Sequence, residues 1–192
     1  MQETPGPFTI ADFDQLSRTV IELWEAAIDR DWSVPAGTLE WSCFTTADHT
    51  VDCVFSYALF LASRREDMYP NFTELHALPG AVPSDLIFGL RAVCNMLTAV
   101  VTIAEPGARA IIWQRAEPAT APAADFAARG GHELILHAHD VCTGLGVPFD
   151  PPRELCRRLW HHTRDWPMGA PIATTDDPWS DLLERSGRAR VA

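Results

Sequence analysis

Apolar side chains recur at three- and four-residue steps along most of the chain, which is the period of an amphipathic helix. No clear alternation of apolar and polar residues marks a half-buried strand. The spacing predicts four long helices, two shorter ones towards the C-terminus, and Pro- and Gly-containing loops between them. We expect the helices at about 10–31, 45–65, 84–104, 123–143, 151–166 and 178–185.

Residues that typically cap, open or end helices stand at these boundaries: Thr9, Thr45 or Thr46, Ser84, Gly144, Gly146 and the pair Pro151–Pro152. Residues 110–114 are β-prone and predict either an extended strip or a helical turn, followed by a Pro/Ala-rich loop. The pattern predicts an all-α fold, a four-helix bundle with an additional C-terminal helix and tail. We expect a single domain over residues 1–192, with its core at about 8–147 and the C-terminal helix and tail at 148–192.

The composition of the chain excludes several classes of function. The 192 residues include 15 basic residues, all of them Arg, against 26 acidic ones, for a net charge of -11. This balance argues against nucleic-acid and anionic-membrane partners, because both require a positive surface. Without Lys, the chain can form neither a lysine Schiff base nor a P-loop phosphate site.

The N-terminal segment, the longest apolar stretch and the cysteines together predict a cytoplasmic protein. The N-terminal segment has no basic stretch followed by an apolar run, so we expect no signal peptide. The weakly polar stretch 92–104 is too short and too polar to span a membrane. The number of cysteines is odd and none has CxxC spacing, which predicts free thiols: Cys43, Cys53, Cys94, Cys142 and Cys156.

The fourth predicted helix carries the most informative polar residues. His132 and His137 are about 140° apart on a helix and cannot share a metal. Glu133 and His137 are about 40° apart and adjacent, which is how helical bundles present a carboxylate and an imidazole to one cation. His49, near the start of the second helix, is the candidate third ligand. An exposed Glu–His pair and a solvated His49 remain the alternative interpretation.

Three sequence blocks carry a resemblance. They are W-S-C-F-T-T-A-D-H ending at His49, R-G-G-H-E-L-I-L-H-A-H-D from Arg129 to Asp140, and D-P-W-S-D-L-L-E-R-S-G-R ending at Arg188. Their order and spacing resemble the DinB-like superfamily, in particular the N-terminal metal-binding domain of mycothiol-dependent maleylpyruvate isomerases. The resemblance covers about residues 8–188.

The resemblance implies a four-helix bundle in which His49, Glu133 and His137 hold a divalent metal, commonly zinc. In that family the metal binds a low-molecular-weight thiol, typically mycothiol, whose thiolate attacks an electrophilic substrate. Asp140 is the expected partner of a liganding histidine. We expect two departures from the family. One is a chain without the C-terminal domain of the full-length isomerases, and the other is the pair Gly130–Gly131, which either permits close approach or marks the true helix start.

The leading hypothesis is a metal-dependent thiol transferase or isomerase acting on a small-molecule substrate, with no protein cysteine required. The alternatives are a non-catalytic bundle that binds a metal or a hydrophobic metabolite, and a metal-assisted enzyme that uses no thiol. Trp113 and Trp160 are candidate pocket residues, and a homodimer is a possible assembly.

Overall fold

The computed structural model describes residues 5–71, 74–114 and 117–188. Within them the chain forms α1 (Ile10–Ala26), α2 (Cys43–Ser63), α3 (Pro83–Ile103), β1 (Arg109–Trp113), β2 (Ala119–Pro122), α4 (Ala123–Leu145), α5 (Arg153–Thr163) and α6 (Pro178–Arg185). The predicted all-α fold is confirmed, and the two short strands form a small antiparallel hairpin beside the helices.

Helices α1 to α4 form the bundle. Both α1 and α2 pack against α3 and α4, so α1 and α2 occupy opposite corners. Large apolar side chains from every helix meet in one core, and the fully buried ones include Phe13, Trp24, Leu90, Leu97, Phe126, Leu134, Leu155 and Leu159. Helix α2 therefore lies along α4, which brings the two segments with candidate ligands together.

Helix α1 begins as predicted but ends earlier. The Thr9 hydroxyl accepts a hydrogen bond from the Asp12 amide, and the Asp12 carboxylate accepts one from the Thr9 amide. The predicted end at Asp31 is wrong, because the helix stops at Ala26 and the chain turns. Trp32 stabilises the turn by packing edge-on against Trp24 at 5.7 Å and donating its indole N–H to the Ala27 carbonyl.

Helix α2 begins before the predicted Thr45 or Thr46. Ser42 is the N-cap, and its hydroxyl accepts a hydrogen bond from the Thr45 amide at 3.1 Å. The preceding loop folds back on itself through hydrogen bonds from the Cys43 amide to the Val34 carbonyl and from the Ala36 amide to the Trp41 carbonyl. This loop packs on the C-terminal end of α4 and fixes where α2 starts.

The hairpin settles the alternative left open for residues 110–114, because residues 110–113 are extended and belong to β1. The pairing strand β2 falls in the segment predicted to be a loop, and Ala110 pairs with Ala121. The Ile111 amide also donates to the Arg65 carbonyl at 2.7 Å, which ties the hairpin to the end of α2.

The two helical glycines of α4 permit close packing. Gly130 and Gly131 are both buried inside the helix rather than at its start. A Cβ at Gly130 would lie 2.5 Å from Leu97 and 3.2 Å from Phe13, and one at Gly131 would lie 2.7 Å from Phe8. The aromatic side chains at the start of α1 thus replace the missing side chains of α4.

Helix α3 has an apolar outer face. Phe88 is 74% exposed, Met96 44% and Ile103 75%. By length and composition α3 is the one helix among the described residues that could span a membrane, and about a third of its most apolar window is buried. The interpretation of residues 92–104 missed this, because the apolar character extends back to Pro83. The homodimer remains a prediction.

The C-terminal segment packs on the bundle through α5, which contacts α4 and α6. The Arg185 guanidinium donates to the carbonyls of Arg164, Trp166 and Met168, and so fixes the loop between α5 and α6. Helix α6 ends at Arg185, and Arg188 just beyond it reaches back to α4.

Gly144→Ala tests the contact between the loop before α2 and the end of α4. A Cβ there would lie 2.4 Å from the Pro35 carbonyl oxygen, which is backbone and cannot rotate away. We expect the free energy of unfolding to fall by about 1–3 kcal/mol in urea denaturation. Gly89→Ala is the matched control, because its Cβ meets only the Val51 side chain at 3.5 Å. That helical substitution should raise stability by up to about 1 kcal/mol, and equal effects would contradict the packing described.

Candidate metal centre

The imidazoles of α2 and α4 face each other. The ring centroids of His49 and His137 lie 5.1 Å apart, with the rings nearly perpendicular. On a helical wheel His49 lies opposite the apolar stripe of α2, which is typical of a solvent face. In the fold this side of α2 is half-buried against α4, so the solvated interpretation of His49 is wrong.

A compact group of metal-binding atom types lies at this contact. His49, Cys53 and Glu133 each offer one ligand atom, and the three atoms lie within 4.8 Å of one another. The Cys53 sulfur is 3.3 Å from Nε2 of His49. His137 lies beside this group, with its Nε2 atom 3.5 Å from Oε2 of Glu133. The structure therefore brings the three predicted ligands together and adds a thiol to them.

Glu133 is the anion at the centre of the group. Its Oε1 atom forms an ion pair with Nη1 of Arg129 at 2.8 Å and accepts a hydrogen bond from the Tyr57 hydroxyl at 3.3 Å. Burial acts to raise the pKa of Glu133, but the hydrogen bond from His137 and the charge of Arg129 outweigh it and hold the pKa well below its ordinary value. The carboxylate is therefore ionised at neutral pH, as a metal ligand must be.

Arg129 is held between two aromatic rings. Its guanidinium carbon lies 4.5 Å from the centroid of Trp113 and 5.3 Å from that of Tyr57. Trp113 in turn meets Trp166 edge-on at 6.0 Å. Trp113, predicted to line a pocket, thus supports the arginine that pairs with Glu133.

His137 is fixed from its other side. Its Nδ1 atom lies 3.2 Å from Oδ2 of Asp140, and Arg188 pairs with both oxygens of Asp140. Burial lowers the pKa of His137, yet the hydrogen bonds to Asp140 and Glu133 raise it overall. The structure thus places Asp140 where the resemblance predicts it, next to the imidazole of His137, with an arginine from the C-terminal segment behind it.

His49 packs against an aromatic ring, and the residues on either side of it hold the loop that follows α2. Trp41 contacts it edge-on, with centroids 5.2 Å apart. Burial and the neighbouring His137 lower the pKa of His49, which keeps its imidazole neutral and able to bind a cation. The flanking Asp48 and Asp52 accept backbone hydrogen bonds at residues 75 and 77, which attaches that loop to α2.

Of the other candidate residues, His139 and Trp160 lie apart from this group, whereas His132 borders the same cavity as Glu133 and His137. His139 packs edge-on against Trp179 at 5.5 Å, on the far side of α4. Trp160 is 6% exposed and borders a cavity of about 460 Å³ between α5 and the segment before α6. His132 is buried, and burial lowers its pKa to about 4, so it is uncharged at neutral pH.

A cavity of about 310 Å³ opens beside Glu133 and His137. Arg129, Arg185 and Arg188 all contribute to its wall. Arg129 and Arg188 pair with the carboxylates of Glu133 and Asp140, and Arg185 donates to backbone carbonyls, so the positive charge of the wall is partly compensated. The cavity has room for a small molecule beside the donor group.

Sequence reasoning missed the supporting residues. Cys53 follows His49 by four positions and Arg129 precedes Glu133 by four, which is the same spacing that joined Glu133 to His137. Tyr57 in turn follows Cys53 by four positions. The spacing predicts the contacts within each helix, but only the packing of α2 on α4 shows that Cys53 and Tyr57 lie next to Glu133.

Together these features define a mostly helical bundle with a cluster of imidazole, thiol and carboxylate groups between two of its helices. No family model and no curated protein matches the chain. Among solved structures, the fold is similar to a crystal structure of a mutant of the mycothiol-dependent maleylpyruvate isomerase. The TM-score is 0.52 at 15% identity, over 78% of this chain and 67% of that one. The likeness supports a structural relationship between the two folds.

Replacing Arg188 by Met tests how the C-terminal segment supports His137. Asp140 is 2% exposed, and without Arg188 its buried carboxylate loses its cationic partner. We expect the free energy of unfolding at pH 7 to fall by about 3 kcal/mol. Burial acts to raise the pKa of Asp140, but the hydrogen bond from Arg188 lowers it overall. The contribution is therefore present at neutral pH and is lost as the pH falls below the ordinary pKa of 3.8.

Arg157→Met is the control, since Arg157 pairs with the exposed Glu154 on the surface of α5. It should change stability by less than about 1 kcal/mol. Similar small losses in both variants would show that the Arg188–Asp140 pair does not hold the segment in place.

Proposed function

We propose that this chain is a divalent-metal-dependent enzyme that activates a low-molecular-weight thiol for isomerisation of, or transfer to, an electrophilic small molecule. The observation that carries the proposal is the meeting of His49, Glu133 and His137 between α2 and α4, with a cavity beside them. The structural likeness to a mycothiol-dependent isomerase supports the same class.

The donor set fits a divalent cation such as zinc. Two imidazoles and one carboxylate are typical ligands of catalytic zinc, and they leave a coordination position for a further ligand. Glu133 is ionised and His49 is neutral, which are the protonation states that bind metal. A bound cation lowers the pKa of a coordinated thiol, so that a thiolate nucleophile is available near neutral pH.

The protein's own side chains orient the site. Asp140 fixes the ring of His137 through its Nδ1 atom and leaves Nε2 directed towards Glu133. Arg129 and Tyr57 hold one oxygen of Glu133, which leaves the other for His137. Trp41 packs on His49, so each donor is positioned by a contact outside the group.

The proposed substrate is a small anion. The arginines in the cavity wall are partly neutralised by Glu133 and Asp140, and a bound cation would add two positive charges. A carboxylate-bearing electrophile next to the donors would offset this excess of positive charge. We propose maleylpyruvate with mycothiol as the first pair to test, because the structurally similar isomerase carries both in its name.

A second candidate function, binding of a hydrophobic metabolite, is supported by a different cavity. A cavity of about 480 Å³ between α2, α3 and the loop at 75–81 is lined mostly by apolar side chains, among them Val51, Leu78 and Leu86. Binding of a hydrophobic metabolite there would make the chain a carrier or a sensor. A metal-assisted reaction without a thiol is the third alternative.

Metal uptake separates these candidates. Protein treated with chelator and then titrated with zinc should take up about one equivalent, and its melting temperature should rise, because the ligand binds the native state alone. His49→Ala and Glu133→Ala should lose both effects. His161→Ala on α5 is the control and should keep both. Unchanged melting of the wild-type protein across the titration would contradict the metal-dependent function.

Thiol dependence tests the class of reaction. We expect the zinc-loaded protein to isomerise maleylpyruvate only when mycothiol is present, with the loss of substrate absorbance as the readout. His137→Ala should lower the rate by at least about tenfold, and His139→Ala should retain it. Equal rates with and without thiol would favour the thiol-free reaction instead.

A further inference from the structure

We propose that Cys53 binds the divalent cation of the proposed function through its thiolate. The ligands would then be His49, Cys53 and Glu133, with His137 beside them. This inference rests on the proposed metal function. It assigns a role to a residue that the sequence left among the free thiols.

The distances fit ligands of one ion. Two atoms bound to the same tetrahedral zinc at about 2.0–2.3 Å are separated by roughly 3.5 Å. The Cys53 sulfur lies 3.3 Å from Nε2 of His49, and Nε2 of His137 lies 3.5 Å from Oε2 of Glu133. Each pair is thus spaced like two neighbouring corners of a tetrahedron, and the candidate donor atoms of His49, Cys53 and Glu133 all lie within 4.8 Å of one another.

The position of Cys53 differs from that of the other cysteines. All five lie within the described ranges, and Cys43, Cys94, Cys142 and Cys156 are fully buried whereas Cys53 is half-buried. Its place four residues after His49 on α2 puts both side chains on one helical face. A helical pair of an imidazole and a thiol thus meets a second helical pair, Glu133 and His137 on α4.

A thiolate changes which cation the site prefers. Sulfur ligands favour zinc and other softer ions, whereas magnesium, calcium and manganese favour oxygen ligands. When Cys53 binds, its S–H bond breaks, a metal–sulfur bond forms, and the proton is released to solvent. With His137 also bound, the protein would fill four positions, so an external thiol would enter by adding a fifth ligand or by displacing Cys53.

Cobalt(II) is the probe, because a cobalt–thiolate bond gives a charge-transfer band in the near ultraviolet. Metal-free protein in phosphine-containing, thiol-free buffer is titrated with cobalt chloride. We expect the band in wild-type protein and in Cys94→Ala, the matched cysteine control. Cys53→Ser should lose the band, keep the visible cobalt bands, and bind at least about tenfold more weakly.

X-ray absorption at the zinc edge of the wild-type protein gives a measurement that needs no variant. It should show one sulfur at about 2.3 Å in addition to nitrogen and oxygen at about 2.0–2.1 Å. Three results would each overturn the role of Cys53 and leave the metal function standing. They are cobalt uptake without the charge-transfer band, a charge-transfer band that survives Cys53→Ser, and a zinc coordination shell without sulfur. No uptake of either cation would overturn both.

Discussion

The buried carboxylate of Glu133 is the constraint on which the site depends. A charge removed from water must be compensated by partners, or its burial costs several kcal/mol. Here Arg129, Tyr57 and His137 all direct polar atoms at it. Asp140 then holds His137. The group is thus an ordered network on α2 and α4, and the proposed cation would be held by the same carboxylate.

Much of the fold follows from local patterns. The three- and four-residue spacing located all six helices, and the cap at Thr9 was read correctly because its contacts lie within four residues. The predicted end of α1 was misplaced because Trp32 stabilises a turn by packing on Trp24. Rules of residue spacing along a helix do not include such a contact. The strand β2 was missed for a similar reason, since its pairing with β1 is not visible in a Pro- and Ala-rich segment.

The candidate site was predicted only in part. Helical spacing joined Glu133 to His137 but left His49 only a candidate, because α2 and α4 are far apart in sequence. The resemblance to a family was needed to favour His49 as the third ligand. A helical wheel assigns the His49 side of α2 to solvent, since it shows one helix without its neighbour. Cys53 was assigned a role only when the packing of α2 on α4 placed it near Glu133. The pairing of Arg129 with Glu133 lies within α4, and its four-residue spacing could have predicted it.

The central claim is that one divalent cation binds between α2 and α4. Anomalous X-ray diffraction above and below the zinc edge, from crystals of zinc-loaded protein, tests it most directly. The account predicts one anomalous peak within about 2.0–2.3 Å of a ring nitrogen of His49 and an oxygen of Glu133. A map without a peak at that position, from crystals soaked in zinc, would contradict it.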